Sequence, residues 1–370
     1  MSPVPSLVST TRGPVLIIGT GLLGTSLALA LRGGGVEVFL RDSSPTAGRL
    51  AQDLGAGTLI GPDDHCSPSL VIVSTPPDVA DICVVDALIR YPEAVVSDVA
   101  SVKLAVLEGV VEEAERRGLD ITSRYVGSHP MAGRERSGAG AADADLFYGR
   151  PWVIVPSPTS SPDAVMRIRS LAGDVGAFPI EMDASTHDQS VALISHVPQL
   201  VSSMLAARLA DAPVSALSLS GQGLRDTTRI AASDPRLWTA ILAGNAGPVV
   251  KVLKDIRGDL DDLISHLDAA AHEGPLEGGS VGAVYRVMDQ GNRGVARIPG
   301  KHGGAPTRYV VLDVFVPDTA GSLGRLFADL GEIGVNIEDF ALEHSAGAQM
   351  GVARLSLDPS IVASTICQLQ

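Results

Sequence analysis

A small set of residues in this sequence has the types and the spacing that binding and oxidising a small molecule would require. Three glycines, Gly19, Gly21 and Gly24, follow the apolar run "VLIIG" in a G-x-G-x-x-G spacing. The first permits a tight turn, the second lets a pyrophosphate approach the backbone, and the third lets the next helix pack closely. Between a predicted strand and a predicted helix, this spacing favours dinucleotide binding over a glycine-rich packing turn.

The residues around this turn predict how a nucleotide would be held. The backbone N–H groups of Leu22 and Leu23 open the helix, where a phosphate is stabilised. Asp42 lies 18 residues beyond Gly24 and ends the second predicted strand, where a carboxylate accepts from a ribose 2′-hydroxyl. We therefore expect NAD rather than NADP, although a guanidinium at Arg41 leaves room for a 2′-phosphate.

Three further polar side chains follow predicted strands and are candidates for the same cleft. His129 stands before Pro130 in "YVGSHPMAGRERSG", and an imidazole there could accept a hydroxyl proton, because its pKa lies near neutral pH. Ser101 in "SDVASVK" could bind substrate or nicotinamide, and Thr75 could line the cofactor site. The alternatives are a structural loop histidine, a helix-capping serine and an ordinary helix start at Thr75.

The elements that would position these residues alternate through the first part of the chain. Short β-branched runs are separated by lengths suited to crossover helices, which predicts an α/β Rossmann-type, doubly wound domain over 1–157. The runs lie at 15–19, 36–40, 70–75, 94–99 and 151–156. Helical periodicity then predicts an all-α substrate and dimerisation domain over 158–292, followed by a glycine-rich linker at 290–307.

The last part of the chain predicts a small α+β domain over 305–370. Its pattern reads as strand 308–316, helix 320–333, strands 335–343 and 349–357, then a helix from about 359. A ferredoxin-like unit would need one more strand. The expectation is that this strand is either truncated here or dispensable.

Composition narrows the classes of partner. The formal net charge of −14 disfavours nucleic acid and anionic membranes, and an anionic substrate would need a local cluster of cations. Three scattered cysteines indicate a reducing compartment, and the histidines show no metal-ligand spacing, so no metal is expected. The apolar run at 15–31 contains three glycines and lacks a cleavage site, so we expect a cytoplasmic protein rather than a targeted one.

Several motifs together carry a family resemblance. They include "SDVASVK", "VGSHPMAGRERSG", "DLFYGRPWVIVP", "HDQSVALISHVPQL" and "GLRDTTRIAASDPRLW". With the glycine motif, these resemble the prephenate/arogenate dehydrogenase family of tyrosine biosynthesis across residues 15 to about 265. The segment "VPDTAGSLGRLFADLGEIGVNIEDF" is similar to an ACT domain, a regulatory amino-acid-binding module.

The resemblance implies oxidative decarboxylation of prephenate to 4-hydroxyphenylpyruvate with NAD. It implies that His129 accepts the proton of the C4 hydroxyl, that Ser101 orients this histidine and the substrate, and that Arg229 binds a substrate carboxylate. A guanidinium suits a carboxylate because of its bidentate fork. The alternatives for Arg229 are a surface pair with Asp226 or a stacked pair with Arg225. Arg134 and Lys103 are expected to face solvent.

The helix in "HDQSVALISHVPQL" predicts further substrate contacts. His187 and His196 are nine residues apart, half a turn out of phase, so one straight α-helix cannot aim both at one ligand. His196 and position 199 share a face. The resemblance leads us to expect a histidine at 199, but Gln199 stands there, which leaves prephenate and arogenate open. His187, after possible caps at Ser185 and Thr186, is expected to orient neighbours.

The resemblance also implies regulation and assembly. Gly321 at a strand-to-helix turn and Asn336 at the next strand are the predicted effector residues, with tyrosine as the expected effector; the alternative is an ordinary turn. The apolar helical region predicts a homodimer. Two rival functions remain: dehydrogenation of arogenate or another aminated prephenate analogue, and non-catalytic sensing of NAD or an amino acid, which a base beside the nicotinamide disfavours.

Overall fold

The computed structural model describes residues 9–119, 122–134, 136–274, 279–299, 309–343 and 349–369. The predicted linker at 290–307 lies partly outside these residues. The chain divides into two compact units. The first comprises Met1–Ser203 with Ile230–Lys254, and the second comprises Met204–Arg229 with Asp255–Gln370.

A five-stranded parallel sheet forms the centre of the first unit. Its strands are β1 (Val15–Ile18), β2 (Val38–Arg41), β3 (Thr58–Leu59), β4 (Leu70–Val73) and β5 (Val95–Asp98). Their order is β3-β2-β1-β4-β5, so the strand order reverses between β1 and β4, where ligands bind in such sheets. This confirms the doubly wound prediction for the first four apolar runs.

Helices cover both faces of this sheet. They are α1 (Leu22–Gly33), α2 (Pro45–Asp53), α3 (Pro77–Arg90) and α4 (Leu104–Arg116). Alternate residues of β1 enter two separate cores: Val15 and Ile17 pack with Leu27 of α1, whereas Leu16 packs with Val84 of α3. Strands buried on both faces are apolar throughout, which explains why their runs are readable in the sequence.

A second sheet of three strands continues from the first. Its strands are β6 (Val126–Pro130), β7 (Pro151–Pro156) and β8 (Phe178–Glu181), with helix α5 (Pro162–Asp174) between the last two. Strands β6 and β7 are antiparallel and β7 and β8 are parallel. The run at 151–156 therefore belongs to this sheet. The helical prediction from 163 onward is wrong for β8, because its four residues are mostly exposed and contain a proline, which leaves no strand pattern to detect.

Helices dominate the middle of the chain, as predicted. They are α6 (Ala184–Val191), a π-helical turn (Ala192–His196), α7 (Val197–Ala207), α8 (Val214–Leu217), α9 (Gln222–Thr228), α10 (Pro235–Gly244), α11 (Ala246–Glu273) and α12 (Ser280–Val295). The continuous stretch Ala184–Ala207 is long and apolar enough to cross a membrane. It carries the buried residues His187, Asp188 and His196, whereas Leu193, Ile194 and Met204 are exposed, so the stretch is only partly buried.

The C-terminal part of the second unit has the predicted β-α-β-β-α order. Its elements are β9 (Val310–Pro317), α13 (Ser322–Glu332), β10 (Asp339–Glu343), β11 (Met350–Leu357) and α14 (Val362–Leu369). The three strands form an antiparallel sheet in the order β10-β11-β9. A small core joins the sheet to α13 through Val316, Leu330 and Leu355. Asn336 precedes β10 instead of opening it, because the strand begins only at Asp339.

Candidate active site

The turn between β1 and α1 has the shape that a dinucleotide requires. Gly19 has φ +96°, and a Cβ there would clash with the Ser74 carbonyl after β4. A Cβ on Gly24 would clash with the Gly19 carbonyl, whereas one on Gly21 would meet nothing within 4 Å. No side chain caps α1, so the N–H groups at its start, near Leu22 and Leu23, remain suited to a phosphate. These residues fit a pyrophosphate.

Asp42 is fixed at the ribose end of this turn. Its Oδ2 accepts from the Thr20 backbone N–H at 2.6 Å and the Thr20 hydroxyl at 2.7 Å, and its Oδ1 accepts from Ser44 N–H at 2.7 Å. The Arg41 guanidinium donates elsewhere, to the Gly61 carbonyl at 3.3 Å. The site therefore presents a carboxylate, which fits a ribose hydroxyl better than a 2′-phosphate. Thr75 follows β4 beside Gly19, close to this turn.

His129 belongs to strand β6, rather than to the loop after it, and it joins a chain of buried side chains. Its Nδ1 lies 2.9 Å from Nε2 of His187, and Nδ1 of His187 lies 2.7 Å from Oδ1 of Asp188. The two oxygens of Asp188 also accept from the backbone N–H groups of Lys103 and Leu104, each at 2.9 Å. The start of α4 therefore anchors the carboxylate.

This chain determines which nitrogen of His129 carries a proton. A carboxylate only accepts, so His187 holds a proton on Nδ1 toward Asp188, and its other nitrogen, Nε2, is placed to accept from His129. His129 must then donate from Nδ1, which leaves its Nε2 as a lone pair. Burial lowers the pKa of His129 well below its ordinary 6.5, and the neighbouring basic groups of His187, Lys103 and His196 lower it further. His129 is therefore a neutral proton acceptor at physiological pH.

A buried ion pair lies directly beside this chain. The ammonium of Lys103 contacts Asp98 and donates to the Ser128 carbonyl at 2.8 Å, and both charged side chains are almost fully buried. Tyr125 donates to the other oxygen of Asp98 at 2.7 Å. Burial lowers the pKa of Lys103, while Asp98 opposes this shift. The prediction that Lys103 faces solvent is wrong, because Asp98 supplies the counter-charge that burial demands. Arg134 is exposed, as predicted.

Ser101 lies half-buried in the connection between β5 and α4. The described side chains give it no hydrogen bond to His129, whose ring is oriented by His187. Ser101 does not cap α4 either, since the helix starts after Lys103 without a side-chain cap. On α6 the cap is Asp183, which accepts from Thr186 N–H at 2.9 Å, instead of Ser185 or Thr186. His187 is the orienting residue that the sequence predicted.

The π-helical turn brings His196 to the same buried side as His187. In a straight helix the two rings would be half a turn apart, but five residues in a wider π-turn remove about 90° of that rotation. The ring of His196 packs edge-on against Trp238, with centroids 6.0 Å apart. Burial lowers the pKa of His196 to about 4, against the opposing charge of Asp188. The expectation of one straight α-helix from His187 to His196 is therefore wrong at this turn.

Gln199 and Arg229 are the remaining substrate-binding residues that the sequence predicts. The Gln199 amide donates to the Ile230 carbonyl at 2.9 Å, so it ties α7 to the residue that follows Arg229. Arg229 itself is exposed and opens a short 3-10 turn, Arg229–Ala231. Asp226, its alternative partner in the sequence, accepts from Gln222 at 2.7 Å.

Three buried residues of the site were missed by the sequence analysis. Asp188 stands directly after His187, and an acid beside a histidine is a signal that could have been read. Asp98 begins "DVASVK" at a strand end, which is another readable position. Asn245 bridges Asp188 and His196, but it lies 49 residues beyond His196, and no local pattern marks it. The described residues contain no cluster suited to a metal ion.

Family models match most of the chain. Residues 27–181 match "Prephenate dehydrogenase, nucleotide-binding domain", and residues 183–277 match "Prephenate dehydrogenase, dimerization domain". A similar curated protein is the probable prephenate dehydrogenase NovF of Streptomyces niveus. It is 35% identical over 347 residues, which cover 93% of this chain and 94% of the relative.

Two solved structures are similar in fold. The prephenate dehydrogenase of A. aeolicus, crystallised with hydroxyphenyl propionate and NAD+, has a TM-score of 0.64 and 26% identity, covering 75% of this chain and 97% of that one. The Synechocystis arogenate dehydrogenase has a TM-score of 0.59 and 27% identity, covering 76% of this chain and 98% of that one.

Proposed function

The chain belongs to the prephenate dehydrogenase family, and we propose that it catalyses the NAD-dependent oxidative decarboxylation of prephenate to 4-hydroxyphenylpyruvate. The observation that carries this proposal is the chain Asp188–His187–His129, in which the hydrogen bond at Nδ1 of His129 leaves Nε2 to accept a proton. A base of this kind is needed to take the hydroxyl proton of an alcohol that is being oxidised.

The residues divide the work of this reaction. The β1–α1 turn and Asp42 would hold NAD, which would supply the acceptor for the hydride that leaves C4 of the substrate. His129 accepts the C4 hydroxyl proton at Nε2, and the imidazolium that forms is stabilised through His187 by the carboxylate of Asp188. The C1 carboxylate then leaves as carbon dioxide, and aromatisation of the ring drives the reaction. The imidazolium of His129 returns its proton to the phenolate oxygen that forms. Ser101, half-buried in the loop beside this chain, is proposed to bind the substrate.

Binding of the dianionic substrate needs donors in an acidic protein. We assign the contact with a substrate carboxylate to Arg229, whose guanidinium is suited to bidentate binding. We also assign to His196 a hydrogen bond with the substrate. Gln199 is assigned a supporting role, because its amide N–H₂ is already committed to the Ile230 carbonyl. A neutral Gln199 adds no positive charge, which keeps arogenate, with its amino group, as the second candidate.

A turnover comparison tests this proposal. The purified full-length chain is incubated with prephenate or arogenate and with NAD or NADP, and NADH or NADPH absorbance is followed. We expect the highest kcat/KM with prephenate and NAD, together with release of carbon dioxide. Turnover of arogenate alone would transfer the assignment to the second candidate, and no turnover of either would contradict it.

A homodimer is the proposed assembly. Its support is the match of residues 183–277 to a model described as a dimerization domain, together with exposed apolar side chains in that range. They include Leu193, Ile194, Val201, Met204, Val250, Ile256, Leu260, Ile264 and Leu267. Sedimentation of the full chain should give twice the mass of 38.1 kDa.

The C-terminal β-α-β-β-α unit is proposed to be an ACT-like module that binds tyrosine. A cavity of about 330 Å³ lies between β9 and α13 and is lined by Asp318, Thr319 and Gly321. Gly321 has φ +88°, so Gly321→Val should strain this turn and weaken tyrosine binding measured by calorimetry. Asn336 donates to Glu338 and is not among the lining residues, so it is the weaker candidate. Unchanged tyrosine affinity in this variant would contradict the assignment.

A further inference from the structure

We propose that Asn245 is a positioning residue that holds His196 as its Nε2–H tautomer, so that His196 presents a hydrogen-bond donor to the substrate. The identity of that substrate rests on the proposed function, but the tautomer does not. The role follows from the contacts of one buried amide.

The orientation of the Asn245 amide is fixed by a backbone carbonyl. Asn245 follows α10 and is buried, and its Nδ2 lies 2.8 Å from the carbonyl oxygen of Asp188. A carbonyl oxygen only accepts, so the group facing it must be the N–H₂. The second N–H of the same Nδ2 points to Nδ1 of His196, 3.0 Å away.

The proton of His196 is placed by this contact. Because Asn245 donates to Nδ1, that nitrogen must be a lone pair, and the neutral ring carries its proton on Nε2. Among the described residues, Nε2 of His196 has no hydrogen-bond partner, and the same holds for Nε2 of His129. The two nitrogens therefore offer one donor and one acceptor, and each is suited to an atom of a bound ligand.

Asp188 thereby sets two histidines in opposite states. Its carboxylate acts through His187 and leaves His129 an acceptor at Nε2. Its backbone carbonyl acts through Asn245 and leaves His196 a donor at Nε2. The substrate would therefore contact two different groups: Nε2 of His129, which accepts a proton, and Nε2–H of His196, which only donates a hydrogen bond. A neutral donor of this kind suits a carboxylate or keto oxygen of the substrate rather than its reacting hydroxyl.

The tautomer can be measured directly in the full-length chain without substrate. In protein with ¹⁵N-labelled histidine, side-chain shifts distinguish protonated from unprotonated ring nitrogens, and His196→Gln assigns the signals. We expect His196 to be protonated on Nε2 and His129 on Nδ1. A proton on Nδ1 of His196 would overturn the inference whether or not prephenate is turned over. An Nε2 proton in a chain that turns over neither substrate would leave the inference standing and the proposed function refuted.

A substitution tests the consequence for binding. Asn245→Asp replaces the donor with an acceptor, so Nδ1 of His196 should become protonated. We expect KM for prephenate to rise about 10- to 100-fold, the range for a lost hydrogen bond to a charged group, with kcat and NAD affinity nearly unchanged. The matched control is Asn292→Asp on the exposed face of α12, which should leave KM unaltered. If Asn245→Asp is poorly folded, Asn245→Ala should give a mixture of both tautomers. An Nε2 proton and a normal KM in a folded variant contradict the role.

Discussion

The active-site region and the C-terminal sheet handle charge in opposite ways. In the first unit, Lys103, Asp98 and Asp188 are buried and bonded to one another or to backbone. In the C-terminal sheet, Arg354 pairs with Asp313 and Glu343, and all three side chains are at least 30% exposed. Buried charges lack water as a substitute partner, so each of them depends on its neighbour, whereas the exposed pairs do not.

This difference indicates where substitutions should be tolerated least. Around His129, the nitrogen that carries a proton on each ring depends on the hydrogen bond to the neighbouring residue. A substitution at one position therefore alters the protonation of the next. The C-terminal cavity is instead bordered mainly by apolar residues and glycines, with Asp318 and Thr319 as its polar side chains. We therefore expect large effects on catalysis and folding from the first region and small ones from the second.

The largest expected effect follows removal of the base. His129→Asn keeps a polar side chain of similar size but cannot accept a proton, so kcat should fall about 10²- to 10⁴-fold. NAD affinity, measured by fluorescence titration, should stay within about twofold, because the glycine turn and Asp42 are untouched. Near-normal turnover would return His129 to a structural role.

Loss of the buried ammonium of Lys103 should have the next largest effect. Lys103→Met leaves Asp98 charged and unpaired in the core, so the free energy of unfolding should fall by about 3–5 kcal/mol. The control is Arg354→Met in the C-terminal sheet, which should cost less than about 1 kcal/mol. Urea unfolding of both variants measures the comparison, and equal losses would remove the distinction between the two regions.

A smaller effect is expected when the charge behind the two histidines is removed. Asp188→Asn no longer fixes the proton on His187 Nδ1, so kcat should fall about 10- to 100-fold, as for other orienting partners. Asp183→Asn is the matched change on the same helix, and it should be nearly silent because asparagine also caps helices well. An equal loss in both variants would indicate disruption of α6 rather than a role in proton placement.

The smallest effects concern pH. Because burial depresses the pKa of His129, kcat should stay level from about pH 8 to below about pH 6.5 and should fall only at lower pH. An acid limb centred near 6.5 would contradict this.

Stability should also decrease on acidification. Unfolded histidines bind protons near pH 6.5, whereas folded His196 does so only near its pKa of about 4, so falling pH favours the unfolded chain. The low pKa of His196 alone should lower the free energy of unfolding by about 1–2 kcal/mol as the pH falls from about 6.5 to about 5. His196→Gln should remove this part of the slope in urea titrations, whereas His272→Gln, at an exposed position of α11, should not.

The parts of the site that depend on local spacing could be predicted from the sequence. The glycines, Asp42 and the buried strands were predictable because backbone geometry imposes a fixed pattern on neighbouring residues. Lys103 was misjudged because burial of a lysine depends on a partner that only the fold brings close. The bond from Gln199 to Ile230 spans 31 residues, and the bond from Asn245 to His196 spans 49. No periodicity encodes contacts of that kind.

The π-helical turn at Ala192–His196 has a consequence for insertions and deletions. A gap in an alignment is usually assigned to a loop, where it changes only length. Here, deletion of one residue would convert the turn to an ordinary α-helix, in which four residues advance by about 400°, close to the advance of about 410° made by the five π-helical residues. The residues after the deletion would therefore keep nearly the same face, and the lost residue would be absorbed within the helix. A one-residue gap at this turn is therefore compatible with an unchanged approach of His196 to Asn245 and Trp238.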